Sequence, residues 1–435
     1  MFLYTNNITP RLEYISDFLG KELLGEAFVL IADKERFSRE TMPGVNYSKE
    51  RIKENEFRVE PYSLLFENDI RPQQVDCFKN SRYKYFFQPG GDFPFDIFAA
   101  SFYLLSRYEE YLPHEKDMYG RYAHKNSLAF REEFLHLPLI NIWIQDFRQK
   151  LQYKFPGYPF SFPEQKGPFL PTYDIDQAYS YKDKPFWKNA NGFIRSLLKG
   201  NIGSVKERWN VLNGKTKDPF DTYQWMDNLH GRYKLKPFYF FIVAEKPGKY
   251  DKNISPAIKS MKELILQHSQ KYLAGVHPSW QSGDDISLLE KEVNILQTIT
   301  GNKINDSRQH YIRFVLPETF RHLIKAGIKN DFSMGYGSIN GFRASVASAF
   351  YWFDLEKNEP TDLLLRPFCY MDANSFYEQH YLPEQAYEEM MQYYKVVKSV
   401  NGTMITIWHN NFLGTDNLYK GWKEAYEKFI AEISS

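Results

Sequence analysis

The sequence predicts an α/β protein: a parallel-stranded α/β sheet or barrel over its C-terminal two-thirds, preceded by a smaller α/β domain. Three observations lead there. Beyond residue 169, short apolar strands alternate with helical segments, the rhythm of parallel sheets whose crossovers are helices. Between 155 and 171 the chain carries five prolines, Pro156, Pro159, Pro163, Pro168 and Pro171, a density that no helix or central strand sustains. Finally, ionisable residues follow directly on several of the candidate strands.

In the N-terminal part, Leu12, Ile15, Leu19, Leu23 and Leu24 recur at helical spacing, and AFVLIA (27–32) reads as a short buried strand. FDIFAASFYLLSRYEEYL (95–112) is apolar enough to predict one long, buried helix. His114, His124 and His136 share no ligand spacing, so no chemistry is expected here. The proline-rich stretch predicts a boundary, with residues 1–160 and 161–435 as domains with separate cores. After it come candidate strands at 169–173, 236–244, 271–277, near 303–314, 363–367 and 403–408. A helix is expected through Ile286, Leu289, Val293, Leu296 and Ile299, capped by Asp284 or Asp285. Another follows over 419–433. The segment 183–232 interrupts the rhythm with helical, basic and polar sequence, and reads as an insertion after the first strand that can serve as a lid.

Composition excludes some functions. Across 435 residues, 55 Lys and Arg face 54 Asp and Glu, a net +1. That balance offers no electrostatic case for nucleic acid or an anionic membrane, which need a net or clustered positive field. No apolar run nears the roughly 18 residues of a bilayer span, and the N-terminus lacks the basic start and apolar core of a signal peptide. The expectation is a cytoplasmic protein. Cys77 and Cys369 fit no metal or redox spacing, and two reduced thiols are expected rather than a disulfide. Aromatic residues make up 17%; their faces suit sugar stacking or ordinary core packing equally well.

In a parallel barrel, functional groups gather where strands end, because the loops there meet at one mouth. FLPTY runs into Asp174-Ile175-Asp176, KYLAGV into His277, and TMITIW into His409-Asn410-Asn411. The segment near 303 carries Arg308 and His310, and Arg343 lies in a Gly-rich turn. Singly, each has an ordinary structural explanation as a turn former, a cap or a satisfied core histidine. Jointly, paired carboxylates and several imidazoles at strand ends form a ligand set suited to zinc or a similar divalent ion, with a carboxylate left to take a proton from water.

The order of these motifs resembles the NodB-homology polysaccharide deacetylases, carbohydrate esterase family four, over about residues 169–415. A bacterial branch of that superfamily shares the DID-like, HPS, RQH, GFR and WHN pattern behind an N-terminal domain of this kind. The resemblance implies a distorted (β/α) NodB-type barrel that removes an acetyl group from a sugar with a divalent metal, zinc. It makes Asp174 the general base and Asp176 a metal ligand, with His277 opening the histidine motif. Gly341-Phe342-Arg343-Ala344 is similar to the arginine motif, whose arginine orients the base. Ile407-Trp408-His409 is similar to the last motif, whose histidine protonates the leaving amine. Trp280, Tyr336 and Asp372 are expected at the sugar. Two departures stand out: Gln281 occupies the place of the second metal-binding histidine, and Ala344-Ser345 replace a usual proline. Gln is a poor transition-metal ligand, so a third ligand must come from elsewhere; His310 is the candidate, with a structural histidine as its alternative. Two other functions remain open. One is a non-catalytic sugar-binding or assembly protein that has lost its metal. The other is a metal-independent glycoside hydrolase using Asp174 and Asp372.

Overall fold

The computed structural model describes residues 1–161 and 167–434, so Pro163 of the expected linker lies outside the described residues. The N-terminal region begins with four parallel strands, β1 (Phe2–Thr5), β2 (Val29–Ile31), β3 (Gly44–Tyr47) and β4 (Phe57–Arg58), in the order β2-β1-β3-β4. A small antiparallel pair follows, β5 (Phe78–Lys79) and β6 (Lys84–Tyr85). The apolar repeat of residues 12–24 forms an α-helix, Pro10–Asp17, continued by a π-wound turn, Phe18–Leu24, that ends at left-handed Gly25.

The expected long helix of residues 95–112 is shorter than its composition suggests. Asp96 caps the helix Ile97–Leu105, every residue of which is buried. Arg107 then adopts φ 57°, and a 3-10 turn carries Glu109 and Glu110 back against its guanidinium at 3.0 and 2.7 Å. Three charged side chains this deeply buried need one another, and that need ends the helix where apolar periodicity alone would extend it.

Nine strands follow: β7 (Phe169–Ile175), β8 (Phe238–Phe241), β9 (Leu273–Val276), β10 (Asp306–Ser307), β11 (Asn330–Asp331), β12 (Phe350–Asp354), β13 (Glu359–Leu365), β14 (Tyr370–Met371) and β15 (Met404–His409). They form one sheet, in the order β12-β13-β11-β10-β9-β8-β7-β15-β14, parallel throughout except for the β12–β13 hairpin. β13 and β14 lie toward opposite ends of that order, yet only residues 366–369 separate them. Within that segment the Arg366 N–H donates to the Asp331 carbonyl of β11, and the Cys369 N–H donates to the Ile405 carbonyl of β15. The expected strand near 303–314 is reduced to Asp306–Ser307, whereas β7 extends past its expected end to include Asp174. Asp285, not Asp284, caps the helix Ile286–Thr300.

Aromatic packing accounts for much of the unusual composition. Phe86, Phe95, Phe93, Phe147 and Trp143 pack in one cluster, mostly edge to face, in the N-terminal region. Tyr14 and Phe102 both meet Phe353 of β12 at 5.1 Å, and the Tyr14 hydroxyl donates to the Tyr351 carbonyl at 2.6 Å. Cys77 and Cys369 are both free thiols. Among the described residues no helix is long and apolar enough to cross a membrane. The insertion at 183–232 contributes three helices, Phe186–Leu198, Ile202–Leu212 and Tyr223–Tyr233.

Candidate metal centre

Register brings the strand-end residues together. Asp174 of β7 lies beside His409, the last residue of β15, and Asp176 follows Asp174 by the two-residue step that keeps side chains on one face. His277 comes directly after β9 and donates its N–H to the Phe241 carbonyl at 3.0 Å. His310 opens a short turn, His310–Ile312, in which Tyr311 and Ile312 both take positive φ, 59° and 53°. Such a backbone is costly for a β-branched residue, and strain of this kind concentrates at functional sites. Its consequence is geometric: the chain turns sharply after β10, and the His310 ring meets the His277 ring at 5.1 Å.

The inner ring nitrogens of three histidines converge on one carboxylate. His277 Nε2 lies 3.1 Å from Asp176 Oδ1, while His310 Nε2 and His409 Nε2 lie 3.4 and 3.6 Å from Asp176 Oδ2. Donor atoms of Asp176, His277 and His310 all fall within 4.8 Å of one another. Tetrahedral ligands about 2.0–2.1 Å from zinc are separated by roughly 3.4 Å, so this spacing accommodates an ion after small adjustments. The outer nitrogens support the same reading. His277 Nδ1 faces the Arg308 carbonyl, which can only accept, and His310 Nδ1 donates to Asp251 Oδ1 at 2.9 Å. Tying Nδ1 to an acceptor leaves Nε2 for a metal and fixes the plane of the ring. Asp176 Oδ1 is buried and accepts no hydrogen bond. The residues present therefore fit a divalent cation.

Charge is concentrated here. Burial opposes ionisation of Asp176, His310 and His409, but attraction between opposite charges prevails. His310, with Asp176 and Asp251 beside it, is raised to about 9, and His409, with Asp372 and Asp176, to about 10. The same histidines hold the Asp176 carboxyl well below the usual carboxylate range.

The remaining expected site residues divide. Asp174 is 2% exposed and does border the cleft. The arginine at its side is Arg308, whose Nη1 donates to Asp174 Oδ1 at 2.9 Å and to Thr172 Oγ1 at 2.6 Å. Arg343, expected there, is instead paired with Glu110 at 2.8 and 2.5 Å, because that buried carboxylate needs a second cation besides Arg107. Tyr336 is also displaced from its expected place at the sugar: it is buried, with its hydroxyl against Arg107. Trp280 stands behind Tyr250, at 4.1 Å between ring centroids, with the Arg313 guanidinium over its ring at 4.6 Å. Asp372 is fully buried, and both its oxygens serve His409: Oδ1 meets Nδ1 at 2.7 Å and Oδ2 accepts the backbone N–H at 2.7 Å. It therefore positions the histidine and does not face the cleft. Gln281 sits exposed on the turn after His277.

A cleft of about 540 Å³ opens over Asp176, walled by Tyr250, Tyr311, Phe412 and Tyr419 and by Tyr119 and Arg121 of the N-terminal region. The sequence reading assigned no chemistry to that region. Nor did it single out Asp251, a lone acid in an irregular loop with no pattern to mark it.

A family model for a family of unknown function, DUF7033, matches residues 1–156. No curated protein matches the chain in sequence. Among solved structures, the chain is similar to a protein assigned as a polysaccharide deacetylase from Mycobacterium smegmatis, at 14% identity and a TM-score of 0.40, covering 64% of this chain and 88% of that one. It is similar to PuuE allantoinase at 10% identity and a TM-score of 0.40, covering 61% and 84%. A protein assigned as a polysaccharide deacetylase from Pseudomonas aeruginosa PAO1 gives 11% identity and a TM-score of 0.39, covering 61% and 84%.

Proposed function

We propose that this protein is a metal-dependent hydrolase that removes an acetyl group from a sugar or polysaccharide, with Asp176, His277 and His310 as the protein ligands of zinc. The observation carrying the proposal is the convergence of those three donors with both outer imidazole nitrogens already engaged. A bound zinc supplies Lewis acidity at an acyl oxygen and lowers the pKa of water. The chain's own groups then divide the proton work. Asp174, with Arg308 holding Oδ1, keeps Oδ2 3.7 Å from His277 Nε2 and is the base that takes a proton from water. His409, whose Nδ1 meets the buried Asp372 carboxylate at 2.7 Å and whose pKa is raised by it against burial, is the acid for the leaving amine or alcohol. Tyr250, Tyr311 and Tyr419 offer aromatic faces to a sugar ring.

Closure of the nine-stranded sheet into a barrel, through the segment joining β13 to β14, and assignment of residues 1–160 to an N-terminal accessory domain belong to the same proposal. The reading with metal-independent glycoside cleavage is weakened by Asp372, whose oxygens are both engaged with His409. The deciding experiment is acetate release from acetylated oligosaccharides by the purified protein, before and after chelation and after zinc is restored. Release that stops on chelation and returns with zinc supports the proposal. Acetate release indifferent to chelation, or release of free sugar in place of acetate, would count against it.

A further inference from the structure

The helical hairpin within the insertion turns an apolar face outward. Eight of the twenty exposed large apolar side chains among the described residues lie between 186 and 212. On the helix Phe186–Leu198 they are Phe186, Trp187, Ile194, Leu197 and Leu198, with Phe186 and Leu198 87% and 83% exposed. At about 100° per residue these five occupy an arc of roughly 120°, and Lys188, Arg195 and Lys199 lie roughly 60–100° beyond its edge, on the polar side of the helix. The helix Ile202–Leu212 adds Ile202, Trp209 and Leu212.

The charge of this segment is as uneven as its apolarity. Residues 182–217 hold nine Lys and Arg against Asp183 and Glu207, a net +7 in a chain whose total is +1. The whole-chain balance conceals a clustered positive field offset by an acidic remainder. An apolar stripe containing tryptophan, with lysine and arginine on the polar side of the same helix, matches a helix lying in the plane of an anionic membrane surface. Nucleic acid would leave the stripe exposed to water. A two-fold pairing of this face with a second copy would bring two +7 patches together.

The hairpin is anchored at the rim of the cleft. The Asp218 carboxylate accepts the N–H groups of Ser180, Tyr181 and Lys182 at 2.7–3.0 Å, which closes the base of the insertion. Asn410, next to His409, donates to the Gln177 and Phe220 carbonyls on either side of it. We infer that the hairpin docks the protein on an anionic lipid bilayer, with Trp187, Leu197 and Leu198 entering the headgroup region and the cleft held near that surface. The inference does not depend on the hydrolase reading.

Co-sedimentation of the full chain with phosphatidylcholine vesicles, with and without phosphatidylglycerol, tests it. Binding should be at least about tenfold stronger with the anionic lipid and should weaken as salt is added. Trp187→Ala with Leu198→Ser, or Lys188→Glu with Lys199→Glu, should reduce it by about tenfold or more. Circular dichroism serves as a check that these exposed substitutions leave the fold intact. Three results would overturn the inference: no binding to either vesicle, equal binding to both, or variants that bind like the wild type. A dimer in light scattering that Trp187→Ala with Leu198→Ser converts to monomer would reassign the face to self-association.

Discussion

Replacing Asp251 with Asn tests the proposed metal centre from one hydrogen bond outside its ligands. Asp251 is fully buried and accepts His310 Nδ1–H and Trp280 N–H at 2.9 Å each, and Gly248 N–H at 3.2 Å. Asparagine keeps an oxygen for His310 but turns an amide N–H toward Gly248, at a stability cost of about 1–3 kcal/mol. Loss of an outer carboxylate from a metal-bound histidine lowers affinity by about 10–100-fold. Protonation works in the opposite direction. His310 is raised to about 9, against its burial, first by Asp176 and then by Asp251. At neutral pH a cation therefore competes with a proton that costs the wild type roughly 100-fold in affinity. Asp251→Asn relieves part of that competition, so its deficit in zinc affinity should be small near neutrality and reach the full 10–100-fold near pH 9. Competition titration against a chromophoric chelator at both pH values reads this directly, without any activity. Equal affinity of wild type and Asp251→Asn at the higher pH would refute the reasoning, as would wild-type affinity in His310→Ala.

Three further outcomes follow from the same geometry. Asp174→Asn should lower turnover by about 10²–10⁴-fold while zinc content stays near wild type, whereas Asp176→Asn should lose zinc first; metal analysis beside an acetate-release assay separates them. In protein stripped of metal, His310 and His409 sit near 9 and 10 instead of about 6.5. A raised histidine adds stability below its unfolded value and loses it as pH rises through its folded one. The Tm should therefore fall between neutral pH and about 10, and a Tm that rises over that window contradicts the assigned charges. Arg343→Ala should destabilise by about 3–5 kcal/mol, since it strips Glu110 of a buried partner, yet leave zinc affinity unchanged. Denaturant unfolding and the same chelator titration check the two halves of that statement.

The strand-end acids and histidines were legible because a parallel sheet converts chain order into spatial convergence. Asp174, Asp176, His277 and His409 needed only the alternation of strands and helices to be placed together. The arginines were not legible in that way. Arg308 and Arg343 are both buried, and nothing in their flanking residues says which carboxylate each will meet. That choice is made by Glu110, from a region more than 200 residues away, whose burial demands Arg343 and leaves Asp174 to Arg308. Asp372 was misplaced for a related reason. It was expected at the sugar, but the His409 ring and backbone claim both of its oxygens. The departure at Gln281 was informative in the other direction: a missing ligand on one loop pointed to the next strand end, where His310 lies.

Placement of His310 draws on parts of the chain that sequence order keeps far apart. The turn that carries it holds Tyr311 and Ile312 at positive φ, which local interactions alone do not favour. What holds the turn comes from the N-terminal region: Arg121 Nη1 donates to the Tyr311 carbonyl at 2.6 Å, and Asp117 fixes the same guanidinium through Nε at 2.7 Å. Gly337 completes the junction, since a Cβ there would stand 2.0 Å from Arg121 Nη1 and 2.7 Å from the Tyr311 carbonyl. Strain at a site persists only where surrounding contacts over-determine it, and here those contacts belong to residues 117–121. The N-terminal region thus supplies Tyr119 and Arg121 to the wall of the cleft and also sustains the backbone that turns His310 toward Asp176.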